Sequence, residues 1–266
     1  MFWADYHTHS VFSPDGCDDM LALGRAARAA GLREMAVTDH CDMGADDFDA
    51  EGYRAALTEA RAALEREGLR LVRGLELGEA THDPARAAAV VRDTPLDFVL
   101  GSYHRLKGDR DFYYYEDYGG ADGCRALIGR YLDELPELIA LGCFDVLGHL
   151  TYPLRYARRF AGLADVSFSW HREKTEAVLR ALIGAGKGLE LNVSGLGRRD
   201  GAPMPDLDLL KLYRALGGEI VTVGSDAHDA RGVGRGIPEG YALLREAGFR
   251  YVAAYRERKV RFEALD

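Results

Sequence analysis

The chain has 266 residues, 47% of them hydrophobic, a length that fits one large α/β barrel or two small domains with a full core. Its longest apolar runs, Phe144 to Leu150 and Glu219 to Gly224, fall far short of the roughly 20 residues of a bilayer-spanning helix, so no membrane span is expected. The 34 Lys and Arg residues against 43 Asp and Glu give a net charge of −9 and are dispersed, which disfavours a nucleic-acid partner.

In chain order, buried strands alternate with helices. Strands are predicted at FWADYH (2–7), REMAVTDH (33–40), LRLVRGLEL (69–77), DFVLGSYH (97–104), DVLGHL (145–150), GLELNVSG (188–195) and EIVTVGSDAH (219–228), each bounded by charge or glycine. Helical spacing occupies Asp18 to Ala30, Glu51 to Glu67, Pro84 to Arg92, Gly123 to Ala140, Ser167 to Ala185, Asp206 to Ala215 and Pro238 to Ala247. Several of these end at a glycine, as at Gly31, Gly68, Gly186 and Gly248. Residues 249–265 read as added β structure. The N-terminal MFWADYHTHS has no basic flank followed by an apolar stretch, so no signal or transit peptide is predicted and the cytoplasm is the expected compartment. Cys17, Cys41, Cys124 and Cys143 are scattered and expected to be free thiols.

Repeated strand and helix alternation implies a parallel sheet. Most of the strands are apolar inside and end in His, Asp or Glu, residues that are costly to bury without partners. Many contributing strands favour a barrel mouth over the single switch point of an open sheet, and seven units point to a distorted, incomplete barrel in a single domain over 1–266.

Six of eight histidines lie at those strand ends: His7, His9, His40, His104, His149 and His228, accompanied by Asp5, Asp15, Asp39, Glu76, Glu79 and Asp226. In a strand, residues two apart share a face, so His7 and His9 both point into the mouth, and Asp226 and His228 can do likewise. Imidazole with carboxylate suits zinc, iron or manganese. His82 precedes a helix capped by Asp83 and opened by Pro84, and is read as structural. His171 falls in a charged helical segment and is read as surface. The tyrosines of DFYYYEDYGG (111–120) either shape a lid or recognition loop or simply pack together.

In order, the motifs Asp5-Tyr6-His7-Thr8-His9, Thr38-Asp39-His40, Gly74-Leu75-Glu76, Gly101-Ser102-Tyr103-His104, Gly148-His149 and Gly224-Ser225-Asp226-Ala227-His228 resemble those of the polymerase and histidinol phosphatase (PHP) phosphoesterases. The segments HLTYPLRY (149–156) and NVSGLGRR (192–199) resemble those of the monofunctional histidinol-phosphate phosphatase branch. The resemblance implies a distorted (β/α)7 TIM-like barrel and dephosphorylation of L-histidinol phosphate in histidine biosynthesis. It implies three divalent ions (zinc, iron or manganese): one on His7, His9, Glu76 and Asp226, a second on Glu76, His104 and His149, a third on Asp15, His40 and His228. Other activities of the family, on nucleotides, oligonucleotides or phosphotyrosine, are the alternatives, and a non-catalytic metal-binding domain is a further one.

The expected substrate is a small phosphate monoester, attacked in line by a metal-bridging hydroxide without a covalent phosphoenzyme. Three dications neutralise the carboxylates, hydroxide and phosphate, whereas two leave the assembly anionic. Asp15, His228, Arg155 and Arg198 are the catalytic candidates, with Arg155, Arg198 and Arg105 expected to bind phosphate, as guanidinium pairs bidentately with its oxygens. Arg199 competes with Arg198 because Gly197 is inserted in the family's pattern. The proton donor is either Asp15, with its pKa raised by neighbouring anions, or a metal-bound water.

Overall fold

A computed structural model describes residues 2–44, 48–160, 162–196 and 201–265. The seven predicted strand runs become nine hydrogen-bonded segments, because two runs are interrupted. These are β1 (Ala4–Asp5), β2 (Glu34–Val37), β3 (His40–Asp42), β4 (Arg70–Arg73), β5 (Glu76–Gly78), β6 (Leu100–Ser102), β7 (Val146–Leu147), β8 (Gly188–Asn192) and β9 (Val221–Gly224). All pair in parallel, as a three-stranded sheet β1-β2-β4 and a six-stranded sheet β3-β5-β6-β7-β8-β9. The ladders therefore describe two parallel sheets of an α/β fold and not one continuous closed sheet.

The interruptions have a local cause. Tyr53, buried on α2 (Ala50–Arg66), directs its hydroxyl at the carbonyls of Gly74 (2.8 Å) and Val37 (3.2 Å), which stand at the two breaks. At the same point the strands approach so closely that a Cβ on Gly74 would sit 2.5 Å from the Val37 oxygen. β1 also meets β9: the Tyr6 amide donates to the Val223 carbonyl (2.9 Å), the Asp226 amide to His7 (2.8 Å) and the His9 amide to Ala227 (2.8 Å).

The helices are α1 (Met20–Ala29), α2, α3 (Pro84–Asp93), α4 (Gly120–Leu141), α5 (Tyr152–Ala157), α6 (Arg172–Gly184), α7 (Leu207–Ala215) and α8 (Ile237–Glu246). Asp19, Asp49, Asp83 and Asp206 cap four of them, each accepting a first-turn amide. Helix α5 was not predicted; six residues are too few to display a period, and Pro153, which reads as a breaker, sits at a first-turn position where no amide is needed. His171 precedes α6 as its N-cap instead of lying inside it, and its Nε2 is 2.8 Å from the Arg125 carbonyl. Among the described residues no helix is long and apolar enough to cross a membrane.

The C-terminal β structure is an antiparallel hairpin, β10 (Tyr251–Arg256) with β11 (Lys259–Ala264). Ala253, Ala254 and Tyr255 pack on Ala4, Tyr6, Ala36, Val72, Phe98, Leu100 and Val146, which sit at or near the starts of the parallel strands, opposite the histidine-bearing ends. Polar contacts fix it there: the Tyr255 amide donates to the Tyr6 hydroxyl (2.7 Å), which donates to Glu34 (2.8 Å), and Arg258 pairs with Asp145. None of the four cysteines forms a disulfide bond among the described residues.

Candidate metal centre

Eight of the nine candidate ligands stand at or just past an end of a strand, and Asp15 lies further along the loop that follows β1. His40 and Glu76 are partners in the β3–β5 ladder, so register alone brings them side by side. His7 and His9 follow β1 on one face, while Thr8 between them turns away and donates its hydroxyl to the Ala36 carbonyl (2.8 Å). His104 follows β6, His149 follows β7, and Asp226 and His228 follow β9. Asp226 (φ 55°) and Glu79 (φ 49°) adopt left-handed backbone, and His149 (φ 20°) lies at its border. Such conformations are unfavourable for residues with a Cβ and persist where surrounding contacts hold them, often at functional sites.

Glu76 is the hub. One oxygen is 2.9 Å from Nε2 of His149 and 3.3 Å from Nε2 of His104. The other is 3.1 Å from Nδ1 of His40, 3.3 Å from Nε2 of His7 and 3.5 Å from Nε2 of His9. Asp226 faces Nε2 of His9 at 3.4 Å and of His7 at 3.6 Å. Asp15 is 3.0 Å from Nε2 of His228 and 3.9 Å from Nε2 of His40. The His9 ring stacks against His40 and His228, centroids 4.4 and 4.2 Å away. All nine predicted ligands are thus brought together.

The residues fit divalent cations on three observations. Donor atoms of His7, His9 and Glu76, of Glu76, His104 and His149, and of His9, His40 and His228 lie within 4.8 Å of one another. Many of these separations are close to the roughly 3.3 Å edge of a tetrahedron with bonds of about 2.0–2.1 Å. Nε2 of His9, Nδ1 of His40 and Nδ1 of His149 are buried without a hydrogen-bond partner; Nδ1 of His9 donates to the Ser13 hydroxyl (3.0 Å), itself a donor to Asp39, which leaves the His9 lone pair on Nε2 facing Glu76 and Asp226. The electrostatics also call for positive charge. Burial pushes His7, His40 and His104 down, yet carboxylates, Glu76 prominent among them, outweigh it and raise all three, His40 to about 9. Burial raises Glu76 and Asp226, but the surrounding imidazoles hold both well below the ordinary range. His9, by contrast, falls to about 3 through burial and the charge of His40. Protons on the imidazoles do what cations would otherwise do at this point.

The proposed protonation of Asp15 is corrected by its surroundings. Burial raises its pKa, but the hydrogen bond and charge of His228, with the charges of His40 and His9, hold it at about 2. Asp15 is a carboxylate at neutral pH, a state that suits a ligand and not a proton donor.

The other accompanying carboxylates are structural or supporting. Asp5 accepts from the Ser225 amide (2.8 Å) and hydroxyl (2.5 Å) and from the Gly234 amide (2.9 Å). Asp39 accepts from Ser10 and Ser13, and Glu79 accepts the His104 amide (2.7 Å). His82 lies outside the cluster, 3.5 Å from the Tyr103 hydroxyl.

The centre opens into a cavity of about 790 Å³ that Arg155 and Arg105 both line. Arg155, on α5 and not in a loop, donates to the Ser194 hydroxyl (3.1 Å) and is 3.8 Å from Asp226. Arg105 donates to the Met43 carbonyl (3.0 Å). Arg198 and Arg199 lie outside the described residues. The tyrosine segment divides its roles: Tyr113 and Tyr114 are exposed on the cavity wall, whereas Tyr115 and Tyr118 stack on each other at 5.1 Å. Residues missed from the sequence are Asp42, 3.7 Å from Nδ1 of His40 and 4.0 Å from Nδ1 of His104, with Ser13, Ser194 and Glu190; only Glu190 left a sign, as a charge in the middle of an apolar strand run.

Residues 5–194 match the PHP domain family, and the chain belongs to that family. A Thermotoga maritima protein named "Probable histidinol-phosphatase" is 31% identical over 94% of this chain and 94% of its own length. The histidinol-phosphatase of Lactococcus lactis is 28% identical over 96% of this chain and 95% of its own length. A crystal structure of histidinol phosphate phosphatase from Lactococcus lactis, complexed with zinc, L-histidinol and phosphate, superposes with a TM-score of 0.84 at 28% identity, covering 97% of this chain and 98% of that one.

Proposed function

We propose that the chain is a metal-dependent phosphomonoesterase that hydrolyses L-histidinol phosphate to L-histidinol and phosphate. The observation that carries the reading is the gathering of nine histidine and carboxylate residues, seven of which line one cavity, in a chain similar over nearly its whole length to histidinol-phosphatases. Three ion positions are assigned: His7, His9, Glu76 and Asp226; Glu76, His104 and His149; Asp15, His40 and His228. Divalent ions at such ligands supply Lewis acidity and a water of lowered pKa.

The protein's own groups do the rest. Arg155, pinned by Ser194 beside Asp226, is placed to take a phosphate oxygen and orient the ester over the ligands. Arg105, next to His104 just beyond β6, lines the same cavity, and Arg198 is retained as a third phosphate-binding candidate. Tyr113, Tyr114, Tyr152 and Tyr156 with Asp111 form a wall that suits an aromatic, cationic leaving group. The distorted (β/α)7 barrel is likewise our reading; the hydrogen bonds from β1 to β9 support closure of the seven strands, and the packed hairpin supports a single domain over 1–266.

The test is phosphate release from L-histidinol phosphate beside a nucleotide panel and phosphotyrosine, with protein reconstituted with manganese, zinc or iron. Preference for L-histidinol phosphate that chelation abolishes is expected. Preference for nucleotides or phosphotyrosine overturns the substrate assignment.

A further inference from the structure

Glu190 on β8 is buried, and among the described residues neither Lys nor Arg pairs with it. A carboxylate in mid-strand is costly in such a place unless its oxygens are fully used. They are. Oε1 is 2.7 Å from Nδ1 of His7, and Oε2 accepts the backbone N–H of His149 at 2.7 Å. The slot is cut to shape: a Cβ on Gly224 would lie 2.3 Å from Oε1 of Glu190 and 2.4 Å from Cβ of His7.

Two consequences follow for the metal ligands. With Nδ1–H of His7 donated to Glu190, Nε2 is the nitrogen left to give its lone pair to a cation once its own proton is displaced, and it faces Glu76 at 3.3 Å and Asp226 at 3.6 Å. The unusual backbone of His149 is held by its amide bond to the same carboxylate, and from there its Nε2 reaches Glu76 at 2.9 Å. We infer that Glu190 is a positioning residue that sets the tautomer of His7 and the backbone of His149, so that one carboxylate orients a ligand of each of two ion positions. The inference rests on the metal-centre reading proposed above. Asn192, two residues on along β8, donates to Asp226 (3.3 Å) and accepts from Ser194, which holds Arg155, so the strand organises ligands and arginine together.

Glu190→Gln keeps the size but offers one acceptor where two are needed, so one of the two hydrogen bonds becomes a contact between donors. Zinc affinity by chelator competition is expected to fall roughly 10–100-fold, the range for loss of an outer-shell partner. With cobalt in place of zinc, the visible absorption bands are expected to shift, and kcat to fall more than KM changes. Wild-type zinc affinity and cobalt spectrum in a folded Glu190→Gln protein, with only its melting temperature lowered, overturn the positioning role. Imidazole 15N NMR of the zinc-loaded wild type needs no variant: His7 protonated on Nδ1 and bound through Nε2 is expected, and binding through Nδ1 overturns the inference. A wild type that takes up no zinc overturns the metal reading itself, whereas wild-type uptake that Glu190→Gln leaves unchanged overturns only the role of Glu190.

Discussion

Asp15, in the loop after β1, places its carboxylate 3.0 Å from Nε2 of His228, in the loop after β9. The two are the most exposed members of the centre and bracket its open side with His40. For Asp15→Asn, phosphate release is expected to fall by at least the roughly 10–100-fold typical of an outer-shell loss, with one ion fewer per chain by elemental analysis. A full metal content would remove Asp15 from the ligand set.

Asp226 is half-buried and faces both imidazoles of one ion position, which it shares with Glu76. Asp226→Asn should lower turnover by more than the roughly 100-fold upper range for an outer-shell loss, while circular dichroism stays that of the wild type. Retained activity would sink the assignment.

Metal uptake should be linked to protons. The pKa values of His7, His40 and His104 are raised in the metal-free fold, so cations must displace protons to bind. Zinc affinity should therefore climb as the pH rises from the ordinary histidine value of about 6.5 toward the value of about 9 for His40. The sign for stability is opposite: a raised histidine pKa stabilises the metal-free protein fully below about 6.5, and that contribution disappears as the pH passes through about 9. Calorimetry in buffers of different ionisation enthalpy measures the released protons; an affinity flat with pH would refute the linkage.

Arg155 is held by Ser194 within reach of the ligands. Its replacement by Ala should raise KM by about 10–100-fold, in line with about 1.5–3 kcal/mol for a hydrogen bond to a charged group. Lysine should restore little, because it cannot bind two oxygens in a plane. An unchanged KM in steady-state assays would move phosphate binding to another arginine.

Tyr53→Phe removes the one hydroxyl that serves the Val37 and Gly74 carbonyls at the strand breaks. Urea unfolding should show a loss of about 1–3 kcal/mol, the cost of stranding a buried polar group. No loss would mean that water takes the place of the hydroxyl.

Much of this was legible in the sequence because it is local. Apolar runs ending in His or Asp show a strand and its functional end together, and aspartate before a helical period marks a cap, as at Asp83. What was missed has no local signature. Helix α5 is too short for a period, and the breaks in the second and third strand runs answer to a tyrosine on α2.

The sequence by itself determined the alternation of strands and helices and the strand ends at which histidines and carboxylates gather, since pattern and motif are properties of neighbours along the chain. Only the tertiary structure decided what each charge does. It made Asp15 a carboxylate, turned Asp5 and Asp39 to backbone and serine contacts, and set Glu190 against His7 across 183 positions of sequence. A side chain's protonation and partners depend on burial and on charges a few ångströms away, and those neighbours exist only once the strands are laid side by side.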